Sequence, residues 1–209
     1  MTGTGRSSRS GGRIRAFDVF AAVNVALLTG TSLHAYARPE WEFGFFALVV
    51  LVVIVAIWVY FRRYEYPVWL LILLQIGVLS HFAGGFLEFG PDDLELYWHF
   101  VLGIRYDKIV HFYNSMAVAM LLMHLLRGAG LELRRFEAAI VVMVTLGLGA
   151  VIEIVEYFGV ATIPNTSVGD YANNIEDLMM NFLGGATGVT LVTALRGATR
   201  RRAAVGPPS

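Results

Sequence analysis

The chain contains no cysteine, one lysine and few charges, and each shortage narrows what it can be. Without cysteine there is no disulfide, no thiolate nucleophile and no cysteine-type zinc site. Charged residues make up 15% of the 209 residues and hydrophobic residues 56%, against about 25% and about 45 to 50% in soluble domains. Both departures predict a membrane protein. The sequence also lacks an HExxH pair, a G-x-S-x-G elbow and a Walker loop, so no motif names a hydrolase or a nucleotide-driven enzyme. Net charge is zero but unevenly distributed, and no nucleic-acid partner is expected.

The apolar residues that are present fall into six stretches, Phe17 to Tyr36, Phe43 to Phe61, Pro67 to Phe86, Tyr106 to Leu126, Phe136 to Phe158 and Glu176 to Leu195. Each is near the roughly 20 residues that a helix needs to cross about 30 Å of hydrocarbon. The fold class is therefore all-α, a polytopic bundle of six transmembrane helices over residues 17–195. Residues 1–16, rich in Gly, Ser and Arg, are expected to form a disordered basic tail, and residues 196–209 a basic cytoplasmic tail.

Fifteen of the sixteen basic residues are arginine, and thirteen of the sixteen fall on one side of this topology. They are Arg6, Arg9, Arg13, Arg15, Arg62, Arg63, Arg127, Arg134, Arg135, Arg196, Arg200, Arg201 and Arg202; only Arg38, Arg105 and Lys108 fall on the other. The positive-inside rule then places both termini in the cytoplasm, in a bacterial inner membrane crossed several times. Twelve of the sixteen acids lie on or near the outer side. An acidic outer mouth concentrates cations, although loop acids are also simply tolerated there.

The first stretch, with its arginine-rich lead and Ala35-Tyr36-Ala37, has some character of a cleavable signal. Asp18 and Asn24 interrupt it and it is long for such a segment, so a retained helix is expected. The second stretch is apolar except for Trp58 and Tyr60 and receives no chemistry. Thr145 with Gly149, and Gly184 with Gly188, are small-xxx-small pairs that permit close helix approach. The two three-helix halves show no internal repeat, which leaves an inverted-repeat transporter unsupported.

The densest chemistry lies in Tyr106 to Phe112, reading YDKIVHF. Asp107 and His111 are four apart and share a helix face, with the single lysine, Lys108, beside them. Charges in hydrocarbon are costly, roughly 2.5 to 3.5 kcal/mol each, so they turn to a bundle interior or a wet cavity. Partners are available at the same depth: His81 near the end of the third stretch, Glu153 and Glu156 at the end of the fifth, Asp177 and Asn181 at the start of the sixth. These eight residues predict one polar pocket open to the outside. Each also has a plainer reading: Asp107 and Asp177 as helix caps, His81 as a packing residue, Lys108 as a salt bridge to Glu153 or Glu156, and Glu156 as a snorkelling acid. His34, His99 and His124 stand alone.

The DKxxHF run at Asp107 to Phe112, the acids Glu153 and Glu156, and the D-x3-N-x2-G pattern of Asp177, Asn181 and Gly184 together resemble the VanZ-like superfamily of small bacterial membrane proteins. The segment NTSVGDYANNIEDLMMNFLGG, Asn165 to Gly185, is more similar to its YjdF-like branch, whose members have no established activity. The likeness covers roughly residues 65 to 195. The chain lacks the arginine expected in the VanZ loop before the last helix, so the link of that protein to teicoplanin resistance is not carried over.

Three function classes follow. A binding or structural membrane protein would use the pocket for a lipid headgroup, an envelope precursor or a cation, without catalysis. A metal-dependent hydrolase of a lipid-linked or envelope substrate would use Asp107, Lys108, His111, Glu153 and Glu156 catalytically, with Lys108 holding an anion. A cation or proton transporter would use the same acids and histidine as a relay, but the inner halves of the helices are almost wholly apolar. In each case Asp107, His111, Glu153 and Asp177 are the candidate ligands of a divalent cation, the one cofactor considered. His81, Lys108, Asp170, Asn174 and Asn181 are the candidate substrate contacts.

The topology is checked by placing single cysteines in this cysteine-free chain. Ser167→Cys is expected to react with an impermeant maleimide on intact cells, and Ser209→Cys is not. Equal labelling of both would overturn the orientation.

Overall fold

The computed structural model describes residues 15–36, 48, 51–52, 55–90, 94–131, 136–162 and 169–205. Residues 1–14 of the expected tail, residues 163–168 and much of the second stretch lie outside the described residues, while Ala16, placed in the tail by composition, already opens the first helix. The helices are α1 (Ala16–Tyr36), α2 (Val68–Phe86), α3 (Tyr106–Gly128), α4 (Glu137–Thr162) and α5 (Tyr171–Val205), with further helical residues at 55–61. Four of them, α2 to α5, are long and apolar enough to span a membrane. The helix boundaries follow the apolar stretches closely, with one exception. Where the sequence pattern starts the last helix at Glu176, α5 begins five residues earlier and runs on through Arg196 to Val205.

The cause of that early start is a cap. Asp170 accepts a hydrogen bond from the Asn173 backbone N–H at its Oδ1 (3.0 Å), while its carbonyl accepts from Asn174 N–H (3.1 Å). An Asp in this position satisfies helix-end donors that have no partner of their own. At 1.5 Å per residue the 35-residue α5 is about 52 Å long, so it projects past the hydrocarbon.

A segment with no counterpart in the helical expectation joins α2 to α3. Two short antiparallel hairpins, β1 (Glu88–Phe89) with β2 (Leu94–Glu95) and β3 (Phe100–Val101) with β4 (Ile104–Arg105), flank a 3-10 turn at Leu96–Trp98. β4 passes straight into α3 with no intervening residue. Below, this side is called the hairpin end of the bundle.

α3 is the central helix, packing on α5 most extensively and also on α2 and α4. Its contact with α5 depends on the two glycines picked out by spacing. A Cβ at Gly184 would collide with the Phe112 carbonyl, and one at Gly188 would lie 2.5 Å from the Met116 carbonyl. Bare glycine lets the two backbones meet, as close-packed membrane helices require. Far from the hairpin end the interior is apolar, with Ala119, Met123, Val141 and Val189 packed together and Leu122, Leu126, Val142 and Val192 around them. The outer surface of α4 is apolar as well, exposing Met143, Leu148, Val151, Ile154 and Phe158. An apolar surface around a partly polar interior suits a lipid surrounding.

α1 joins the bundle through polar contacts that its sequence disguises as interruptions. Phe17, Ala21, Asn24 and Leu28 form its buried stripe. Asn24 is fully buried and exchanges amides with Gln75 of α2, at 2.8 Å from Asn24 Nδ2 to Gln75 Oε1 and 3.4 Å in return. Asp18 accepts from Trp58 Nε1 (3.1 Å), and Arg15 donates to the Arg62 carbonyl (2.9 Å). Asp18 thus ties α1 to the second stretch.

The glycine contact is tested by two substitutions in α5. Gly197 has nothing within 4 Å of an added Cβ, so Gly197→Ala should hold or raise the melting temperature in detergent, by up to about 0.5 to 1 kcal/mol. Gly184→Ala should lower it by an overpacking cost of about 1 to 3 kcal/mol. Similar melting of the two variants would separate α3 from α5 at this point.

Candidate functional site

The first turn of α3 and the first two turns of α5 meet at the hairpin end and bury a cation between them. Lys108 is 6% exposed, and its Nζ reaches Asp177 Oδ1 and Asn173 Oδ1 at 2.8 Å and the Asn173 carbonyl at 3.1 Å. Asp107 Oδ2 lies 3.2 Å away and Glu176 Oε2, on an exposed side chain, 3.6 Å. A lysine buried this deeply is tolerated only when its donors are all taken up. The anticipated pairing with Glu153 or Glu156 of α4 is not the one formed: the partners come from α5 and from Asp107.

Asn173 is the residue that completes this arrangement, and it is absent from the sequence-derived site. Besides receiving Lys108 it donates from Nδ2 to Asp177 Oδ2 (2.8 Å) and accepts from Arg105 Nη2. It lies four residues before Asp177 on the same helix face. An α5 begun at Glu176 leaves it in a loop, whereas recognising Asp170 as a cap would have placed it in the first turn. Arg105 is a second addition. Its Nη2 is 3.2 Å from Asp107 Oδ2 and its guanidinium stacks 4.7 Å from the Trp98 ring centre, so it belongs to the cluster.

His111, one turn below Asp107, is surrounded by carboxylates. Its Nε2 is 3.4 Å from Asp107 Oδ1 and 3.6 Å from Asp177 Oδ1, and its Nδ1 is 3.8 Å from Glu153 Oε1. Asp107, His111 and Asp177 each offer one ligand atom within 4.8 Å of the others. Glu153, 6% exposed, has both carboxylate oxygens buried with no hydrogen-bond partner. Glu156, half-buried one turn further on, is close enough to interact electrostatically with His111, Asp107, Asp177 and Lys108. Five carboxylates, those of Asp107, Glu153, Glu156, Glu176 and Asp177, surround two fixed cations, Arg105 and Lys108.

The other expected contacts separate from this centre. Asn181, one turn deeper, accepts from Ser115 Oγ at 2.7 Å, while its Nδ2 is buried without a partner beside Gly149. Thr145 Oγ1 is likewise buried and unpartnered. Asp170 is the α5 cap, and Asn174 has a buried, unpartnered Oδ1. His81 is held by the connecting segment: Tyr97 donates to its carbonyl (2.8 Å), and the phenol oxygen is 2.6 Å from His81 Nδ1. Desolvation, reinforced by the charge of Asp107, pushes the Tyr97 phenol well above its usual pKa, so it remains a neutral donor. His99 and His124 also have partners, His99 Nε2 at 3.2 Å from both the Phe89 and Leu94 carbonyls and His124 Nε2 at 2.6 Å from the Glu65 carbonyl.

Removing one member of a buried charge cluster strands the rest, at a cost of about 3 to 5 kcal/mol. Lys108→Ala is expected to lower thermal stability in detergent by that order. Arg127→Ala, which breaks a partly exposed pair with Glu137 at 3.4 Å, should cost no more than about 1 kcal/mol. Equal losses would mean that Lys108 is solvated.

No curated protein and no solved structure matches the chain. A family model does, over residues 17–198, a range that takes in α2, α3 and α4 whole, α5 as far as Ala198 and every residue of the cluster. The chain therefore belongs to the family described as predicted membrane protein (DUF2238), for which that description states no activity.

Proposed function

We propose that this integral membrane protein binds a divalent cation in the cluster at its hairpin end, with Asp107, His111 and Asp177 as ligands and Glu153 beside the other ring nitrogen of His111, where it would orient the imidazole. The observation that carries this reading is the gathering of three ligand atoms, from Asp107, His111 and Asp177 on two helices, within 4.8 Å of one another. Next to them Glu153 buries both carboxylate oxygens without a hydrogen bond, which is costly unless positive charge lies nearby. The spacing suits a small ion. Metal–ligand bonds of about 2.0 to 2.1 Å arranged tetrahedrally put ligand atoms about 3.3 to 3.4 Å apart, close to the 3.4 and 3.6 Å separating His111 Nε2 from Asp107 and Asp177. One imidazole among carboxylates suits Zn²⁺ or Mn²⁺ better than Ca²⁺. Asp177 Oδ1 would then serve both the ion and Lys108, while Lys108 and Arg105 hold the second shell and leave a positive edge for an anionic headgroup.

The remaining features of the reading concern placement. Six spans with both termini cytoplasmic put the hairpin end outside, in a bacterial inner membrane, where the ligand would be a headgroup or an envelope precursor. A wider kinship with VanZ-like proteins belongs to the same proposal. Hydrolysis by the ion and its water, or ion passage across the bundle, would need more than the cluster. The apolar packing of Ala119, Met123, Val141 and Val189 at the opposite end argues against passage. A second reading rests on the carboxylates flanking both nitrogens of His111: a shared proton could take the ion's place.

Chelation separates the two. If an ion is bound, EDTA lowers the melting temperature of the native protein and Zn²⁺ or Mn²⁺ restores it, by about 2.7 kcal/mol at a hundredfold excess over Kd. His111→Ala and Asp107→Asn should each abolish that response, and the double variant should lose no more. Melting that follows pH but ignores chelator selects the shared proton. Indifference to both would reduce the cluster to a structural network.

A further inference from the structure

The connecting segment ends in a turn whose chemistry the fold itself does not require. β3 and β4 pair Phe100 with Arg105 and Val101 with Ile104, leaving Leu102 and Gly103 as a two-residue turn. Both central residues have positive φ, 53° and 82°. This is the hairpin turn that suits the right-handed twist of the strands and favours Asn-Gly. Glycine is at home at the second position, but a leucine in the left-handed region costs roughly 1 to 2 kcal/mol. Leu102 is also 99% exposed, so no contact among the described residues offsets that strain. Phe100 (70%), Ile104 (47%) and Val101 (39%) are exposed beside it.

The base of this hairpin is firmly held. Tyr106 N–H donates to the His99 carbonyl (2.8 Å), Leu96 N–H to the Leu87 carbonyl (2.7 Å), and Arg105 is clamped between Trp98 and Asp107. The tip is two residues of β4 away from the start of α3, about 10 Å at roughly 3.3 Å per residue. α2 and α3, which bracket the segment, are both long and apolar enough to span. A bilayer is about 30 Å thick in hydrocarbon and about 40 to 45 Å with its headgroups, so a tip so close to a helix end remains within reach of the headgroup layer. From Trp98 to Ile104 the segment carries no acid or lysine, while residues 90–93 of the same segment read Gly90-Pro91-Asp92-Asp93. An uncharged, aromatic-flanked, strained apolar tip beside two spanning helices matches the composition of a membrane interface.

We propose that the Val101 to Ile104 turn, together with Phe100, inserts into the lipid interface of the leaflet at the hairpin end and anchors the connecting segment there. The anchor is independent of cation binding. Its place in the chain nevertheless couples it to the cluster, because Arg105 at its base bonds both Asp107 and Asn173.

The absence of cysteine makes the test direct. Leu102→Cys and, separately, Phe100→Cys are labelled with an environment-sensitive fluorophore and reconstituted in phosphatidylcholine vesicles, with Glu88→Cys, an exposed charged position in the same segment, as the reference. Nitroxide on the lipid acyl chain should quench the probes at 102 and 100 several-fold more than the probe at 88, and aqueous iodide should rank them in the opposite order. Iodide quenching at 102 and 100 as strong as at 88 would put the tip in water and overturn the proposal. Protection from both quenchers would overturn it too, by placing the tip in a contact with another protein chain.

Discussion

A buried ammonium organises the hairpin end of this protein. Lys108 would be prohibitively costly in hydrocarbon without partners, and its partners come from two helices that are distant in sequence: Asp107 beside it, Asn173 and Asp177 on α5. Satisfying it fixes the rotation of α5 about its own axis, since Asn173 and Asp177 must both face α3. The same rotation turns Gly184 and Gly188 toward the α3 backbone, about two and three turns beyond Asp177. The ion pair and the glycine seam thus demand one helix orientation, and each reinforces the other.

The bundle is polar at one end of its interior and apolar at the other. Near the hairpin end Asp177, Glu153, Lys108, Asn173 and Asn181 are all buried, while the opposite end closes on Ala119, Met123, Val141 and Val189. A hydrophobic core adds little where the surrounding solvent is itself hydrocarbon, so association must rest on close packing and on polar contacts. The Asn24–Gln75 exchange does for α1 and α2 what Lys108 does for α3 and α5. Leaving Glu153 without a hydrogen bond runs against this economy of satisfied groups, and it lies against the same imidazole whose other nitrogen faces Asp107 and Asp177.

The connecting segment is continuous with the cluster. Trp98 and Asp107 hold Arg105 from either side, Tyr97 holds His81, and His99 gathers two strand carbonyls. A disturbance of the hairpin would reach Asp107 and Asn173 through a single guanidinium. The four short strands therefore serve to position one end of the site, although they contribute almost nothing to the core.

The sequence alone determined which segments are apolar helices, because hydropathy and the 3.6-residue repeat are local properties: α2, α3 and α4 begin and end within a few residues of their apolar stretches. It also located Asp107, Lys108, His111, Glu153 and Asp177 at a common depth, since depth follows from counting residues along each helix. Tertiary structure decided which of them meet. Lys108 turned to α5 rather than α4, Glu153 was left facing His111, His81 went to Tyr97, and Asn173 and Arg105 joined the cluster. Pairing depends on how each helix is rotated and how far it has slid against its neighbour, and no periodicity within one helix carries that information. The start of α5 lay between the two cases: its Asp170 cap was written in the sequence, but the polar first turns it opens carry too little hydrophobicity to be read as helix until packing against α3 makes them one.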